Sequence, residues 1–177
     1  MKQKASGSIG ESAEQYRERL ARYVEGKDPL SIQRQSPTQL ADLIAGLSAE
    51  QLASRPADGK WSIVEILAHL AEDDIATYWR YRQMIEHDGV PLSGFDQELW
   101  ARLGNYQSWG SDEALALFRL LRNANLRMLE SLSAEQWKRS GDHAERGRLT
   151  VADLARHMAA HDVNHLRQIE SLLPIAR

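Results

Sequence analysis

Cysteine is absent from the 177 residues. That excludes disulfides, thiolate metal ligands and a cysteine nucleophile, so any metal must be held by nitrogen and oxygen. A basic surplus is also missing: the net charge is -3 and the pI is near 6.1. Nucleic-acid binders ordinarily carry excess positive charge to neutralise phosphates, so no DNA or RNA partner is expected. No apolar run approaches the ~20 residues that cross a bilayer, so no membrane role is expected either. The opening MKQKASGSIG lacks the apolar stretch of a signal peptide. Residues 1–10 read as a flexible tail, residues 11–177 as a single domain, and the cytoplasm as the location. Strand signals are nearly absent as well.

What is present is helical periodicity. Residues 11–26 are charged and helix-favouring, and Gly26 offers a stop. Asp28–Pro29 reads as a turn, and Ser36–Pro37 as the start of a short helix through Leu47. A turn-rich connector leads to a long helix from Trp61 to His87, with Ile63, Ile66, Leu67, Leu70, Tyr78, Tyr81 and Ile85 at helical spacing. Residues 89–110 form a long connection, interrupted by a short helix near 95–103, with Phe95, Trp100, Tyr106 and Trp109 along it. A connection of that length is often functional. These aromatics could wall a substrate pocket, or bury themselves against the domain or a dimer interface. Ser111 caps a helix ending near Leu132. After the turn-rich GDHAERG, Thr150 and Asp153 open the last helix. Four main helices joined by turns predict an all-α bundle.

The last helix reads HMAAHDVNHLRQIE from residue 157, with His157, His161 and His165 four residues apart. Residues at that spacing lie nearly above one another. His165 falls inside the apolar stripe, His161 at its edge and His157 further round, toward the outside. One i,i+4 pair can share an ion. All three cannot, because the outer two are separated by roughly 12 Å of helix rise. Position favours His161 and His165. The candidate third ligand is His69, beside the stripe of the long helix, although a lone histidine there is ordinarily a hydrogen-bonded core residue. Antiparallel packing of the two helices does not obviously match the depths of these histidines.

RPADGKWSIVEILAHLAEDD (55–74), FDQELW (95–100), GRLTVADLARH (147–157) and HDVNHLRQIE (161–170) together resemble the DinB-like family of DinB/YfiT-like metalloenzymes. The resemblance covers nearly all of the chain after about residue 11. It implies a four-helix bundle of up-down-down-up topology, with 89–110 as the long crossover. It also implies a divalent metal, zinc or nickel, held by His69, His161 and His165, and a homodimer.

Three neutral imidazoles leave a coordination position open, as catalytic sites do. Such a centre could activate water for hydrolysis of a small-molecule substrate. It could instead take a low-molecular-weight thiol as cosubstrate, as in the S-transferases some family members resemble. Asp73 and Glu72 are candidates to orient His69 or act as general base; the alternative is a solvated acidic patch. Asp162 projects onto the apolar stripe and needs a buried partner. Asn164 is expected to face outward, and Arg119, Arg122 and Arg127 to form a solvated face. His87 and His143 are expected to have no special role. The rivals to an enzyme are a bundle merely braced by metal and a metal-free interaction module.

Overall fold

The computed structural model describes residues 12–144 and 146–173, so the tail read over 1–10 lies outside the described residues. Helix α1 (Ala13–Tyr23) starts on a capping box of Ser12 and Gln15. Helix α2 spans Pro29–Ile44, because Asp28 accepts from the amides of Leu30 and Ser31 and proline suits the first turn. The turn expected at Asp28–Pro29 is therefore a helix start, and Pro37 sits inside the helix instead of opening it. A proline there cannot bond the carbonyl of Gln33. Nη1 of the buried Arg122 lies 3.5 Å from that oxygen and donates to it.

The connector holds a short helix α3 (Ala49–Ala53), again on a Ser-Gln capping box. Helix α4 (Ile63–Glu86) opens on Ser62 and Glu65. The crossover follows, with strand β1 (Val90–Leu92), helix α5 (Gln97–Leu103) and a 3-10 turn at Tyr106–Ser108. Helix α6 (Ser111–Glu130) and the short α7 (Ala134–Lys138) lead to strands β2 (Ser140–His143) and β3 (Gly147–Thr150). Helix α8 (Val151–Leu172) starts on the Thr150–Asp153 capping box.

The strands form a small sheet in the order β1-β2-β3, with β1 parallel to β2 and β2 antiparallel to β3. GDHAERG is thus part of a hairpin and not only a turn. Strands of three or four residues are too short to display an alternating pattern. Gly141 is where β2 lies against Leu92: a Cβ there would stand 2.7 Å from the leucine Cγ.

Helices α2, α4, α6 and α8 make the four-helix bundle. In α4 and α6, Asp74 pairs with Arg122, while Tyr81 and Met84 share a cluster with Leu129, so residue numbers rise together and the helices are parallel. Helices α2 and α8 are parallel too, with Gln33 bonded to Ala155 O at 2.8 Å and Leu40 and Ile44 clustered with Leu166 and Ile169. Between α4 and α8 the order reverses: Asp73 faces His161 and Thr77 donates to Met158 Sδ. The topology is up-down-down-up, and the crossover returns the chain along the bundle so that α6 can run parallel to α4. The helices carrying the histidines are therefore antiparallel, and the depths do match. His69 is the seventh residue of α4, and His165 lies seven residues before the last residue of α8.

Candidate metal centre

His69 comes from α4, and His161 and His165 from α8; all three are buried. Their Nε2 atoms converge, with His161 Nε2 3.2 Å from that of His69 and 3.1 Å from that of His165. Among the described residues, these three form the group whose ligand atoms all lie within 4.8 Å of one another, close enough to share an ion. Nitrogens bonded to one cation at about 2.0–2.1 Å are separated by a little over 3 Å when the arrangement is tetrahedral. The rings stand edge to face: His161 and His165 at 4.4 Å and 77°, and His69 at 5.1 Å from each. The indole of Trp61, buried at the start of α4, covers His69 with ring centroids 4.9 Å apart.

The ring protons follow from the outer contacts. Gln168 Oε1 stands 2.8 Å from His165 Nδ1; an amide oxygen only accepts, so Nδ1 carries the proton and Nε2 keeps its lone pair. Nδ1 of His161 is buried and, among the described residues, has no hydrogen-bond partner. Asp73 Oδ2 stands 3.6 Å from it. Burial holds the imidazoles neutral. It pushes His69 down to about 4 and His165 to about 3, and the neighbouring imidazoles add to burial in lowering His161. Burial raises Asp73, while Arg80 and Arg146 pull it back down. Three neutral nitrogen donors converging in this way suit a divalent transition-metal cation.

His157 lies outside this group, with its ring 6.1 Å from that of His161. It is half-buried and not on the surface, and desolvation carries it to about 3. Asp73 stands against His161 and not against His69, because the antiparallel packing puts the next turn of α4 beside it. Glu72 accepts a hydrogen bond from the Tyr106 hydroxyl and so ties the crossover to α4. Asp73 and Asp74 are buried, which removes the reading of 72–74 as a solvated patch. His87 is exposed, and His143 is half-buried in β2.

Asp162 has its partner. Arg122, fully buried, donates Nε and Nη2 to Asp74 at 2.9 and 3.0 Å, and Nη1 and Nη2 to Asp162. The expectation of a solvated Arg122 is thus corrected. Its position gave a signal: it falls one turn after Phe118 and before Leu126 and Leu129, on the apolar side of α6. Asn164 is likewise buried, not outward-facing, and accepts from Arg19 Nη1 at 2.8 Å. The crossover aromatics largely pack on one another and the bundle. Phe95 stacks on Trp100 at 4.3 Å, Tyr106 is buried, and Trp109 donates to Gly104 O at 3.0 Å.

The sequence profile of the DinB superfamily matches residues 33–169. A protein of Oceanobacillus iheyensis, named as a candidate metal-dependent hydrolase, is 26% identical over 136 residues, covering 77% of this chain and 78% of its own. YfiT of Bacillus subtilis, named in the same way, is 22% identical over 160 residues, covering 89% and 90%. The solved structure of YfiT, described as having an unusual four-helix bundle topology, superposes with a TM-score of 0.76 at 20% identity, over 94% of this chain and 90% of that one. A mycothiol-dependent maleylpyruvate isomerase shares the fold at a TM-score of 0.58 and 13% identity, over 76% of this chain and 58% of its own.

Proposed function

The chain belongs to the DinB superfamily, and on that premise we propose that it is a divalent-metal-dependent hydrolase acting on a small molecule. The observation that carries the proposal is the convergence of the Nε2 atoms of His69, His161 and His165. Its relatives' names as metal-dependent hydrolases support the reaction class. A zinc or nickel ion held by these imidazoles would supply Lewis acidity and lower the pKa of water, or of a thiol, at its remaining position.

The protein's own groups divide the other tasks. Gln168 fixes the tautomer and orientation of His165. Asp73, whose Oδ2 stands 3.6 Å from His161 Nδ1, is our candidate to orient that imidazole on metal binding or to accept a proton from a reacting group. Glu72, bonded to Tyr106, holds the crossover in place rather than moving protons. Burial among apolar helices restricts water at the centre.

A low-molecular-weight thiol as cosubstrate is the second reading. Its support is the fold shared with a mycothiol-dependent isomerase, together with the lack of cysteine in this chain, which leaves the sulfur to come from outside. The working form we propose is a cytoplasmic homodimer. Exposed Ile75, Trp79 and Leu103 favour some association, and light scattering measures it. No helix among the described residues is long and apolar enough to cross a membrane.

The test begins with metal content after purification without a nickel column. Stoichiometric zinc or nickel, lost in His69→Ala and His161→Ala, supports the centre. The loaded protein is then screened against esters and amides, and against thiols with electrophilic acceptors. Retention of metal by both variants overturns the ligand set. Metal binding without turnover of any substrate class favours a purely bracing role.

A further inference from the structure

We infer that Arg122 is a positioning residue for the metal centre: by clamping Asp74 to Asp162 it fixes the register between α4 and α8, and so brings His69 to the histidine pair on α8. The inference rests on the metal-centre reading above and adds the device that assembles the ligand set. His161 and His165 share one helix, so α8 alone sets their spacing. His69 is carried by α4, and the 3.2 Å between its Nε2 and that of His161 depends on where α4 stands along α8. A slip of one residue shifts a helix by about 1.5 Å along its axis, a large fraction of that distance.

The two clusters share the same rungs of the two helices. On α4, Asp73 lies 3.6 Å from His161, and the next residue, Asp74, bonds Arg122. On α8, His161 faces the other two imidazoles, and the next residue, Asp162, bonds Arg122. Successive residues of a helix point about 100° apart. Each consecutive pair therefore divides, one side chain toward the histidines and the other toward α6. Whatever holds Asp74 level with Asp162 also holds Asp73 level with His161. His69 follows, because it lies five residues before Asp74 on the same unbroken helix.

Other ties between α4 and α8 constrain this register less. Thr77 Oγ1 donates to a sulfur, Met158 Sδ, at 3.4 Å, and Asp73 Oδ2 stands beyond hydrogen-bond distance of His161 Nδ1. Tyr81 and Met84 cluster with Leu154 and Met158, but apolar attraction is non-directional. A guanidinium is a rigid planar fork that fixes direction as well as distance. Arg122 donates Nε and Nη2 to Asp74 at 2.9 and 3.0 Å, and Nη1 and Nη2 to Asp162. The fork is itself held. Its carbon lies 4.6 Å from the centre of the Phe118 ring, and Asn125, on the next turn of α6, donates Nδ2 to Asp74 O at 3.3 Å. Arg122, Asp74 and Asp162 are all buried, so water does not compete for these bonds.

The test titrates cobalt into the full chain, with the visible spectrum reporting the geometry around the ion. Arg122→Met, Asp74→Leu, Asp162→Leu together remove the clamp without leaving a buried charge. This variant is expected to stay helical, yet to bind cobalt about tenfold more weakly and with an altered spectrum. Arg122→Lys keeps the charge but loses the fork, is expected to change cobalt binding in the same direction, and decides the matter if the triple variant does not fold. Leu129→Ala is the control for stability alone: it empties a buried site on the same helix, away from the clamp, and is expected to leave cobalt affinity and spectrum unchanged. The inference is overturned if the deciding clamp variant binds cobalt with the parent's affinity and spectrum, or if Leu129→Ala alters them as much. If the parent takes up no cobalt, the metal reading fails by itself, and NOEs between the His69 and His161 rings then decide in metal-free protein. Hδ2 and Hε1 flank Nε2, so the parent is expected to show these NOEs and the clamp variant to lose them. NOEs absent from the parent, or retained in the variant, overturn the inference.

Discussion

Arg122 and His161 are both buried in the same bundle, and their immediate neighbours are consecutive residues: Asp162 follows His161 on α8, and Asp74 follows Asp73 on α4. Around Arg122 the five N–H donors of the guanidinium reach five acceptor contacts, on Asp74, Asp162 and the Gln33 carbonyl. That cluster is closed, and it joins α2, α4, α6 and α8 through one side chain. Around His161 the opposite holds. Three Nε2 atoms face one another, and neutral rings protonated at Nδ1 would bring three lone pairs together with no donor between them. A buried polar group without a partner is costly. The difference separates a structural lock from a cluster that could hold a metal ion.

The largest expected effect comes from removing a ligand of the open cluster. His161→Ala should abolish stoichiometric metal, read by elemental analysis, while circular dichroism shows the helices intact; a variant that keeps its metal would erase the distinction between the two clusters. Removing the centre of the closed cluster should act on stability instead. Arg122→Met strands two buried carboxylates and should cost about 3–5 kcal/mol in urea denaturation. The triple replacement Arg122→Met, Asp74→Leu, Asp162→Leu should recover most of that loss, since apolar groups of similar volume often replace buried ion clusters without penalty.

A smaller effect is expected at the edge of the open cluster. Gln168→Ala frees His165 Nδ1 and should weaken metal binding about 10–100-fold, with little change in denaturation midpoint; an unchanged affinity would mean that packing alone orients the ring. The smallest concerns pH. Metal needs neutral imidazoles, and burial sets His69 to about 4 and His165 to about 3. Protons therefore compete with metal only as pH falls toward about 4, and affinity should stay nearly flat between pH 7 and 5. A decline already centred near 6.5, as for exposed histidines, would mean that the centre is open to water.

Much of this was legible in the chain itself, and unevenly so. The His161–His165 pair stood out because two residues four apart must share a helix face whatever surrounds them. The capping box at Thr150 marks where α8 begins, whereas α4 shows itself through its apolar spacing and its Ser62 box is a finding of the structure. His69 as the partner was suggested mainly by family resemblance, since one histidine beside an apolar stripe has several ordinary explanations. Arg122 reads as solvated in sequence because arginine so often is, although its place in the α6 pattern points inward. Pro37 reads as a helix start for a related reason: proline commonly begins a helix, and nothing local reveals that another helix supplies a donor to the carbonyl it leaves free.

Local periodicity and capping chemistry thus determined α4, α6 and α8 with their approximate limits, and two of the three converging imidazoles, because those features depend on residues within a few positions of one another. Only the tertiary structure decided that α4 and α8 run in opposite directions, that Asp73 meets His161, and that Arg122 lies buried between Asp74 and Asp162. Those facts depend on the register between helices joined by a long crossover and a hairpin, and that register is set by packing across the whole bundle.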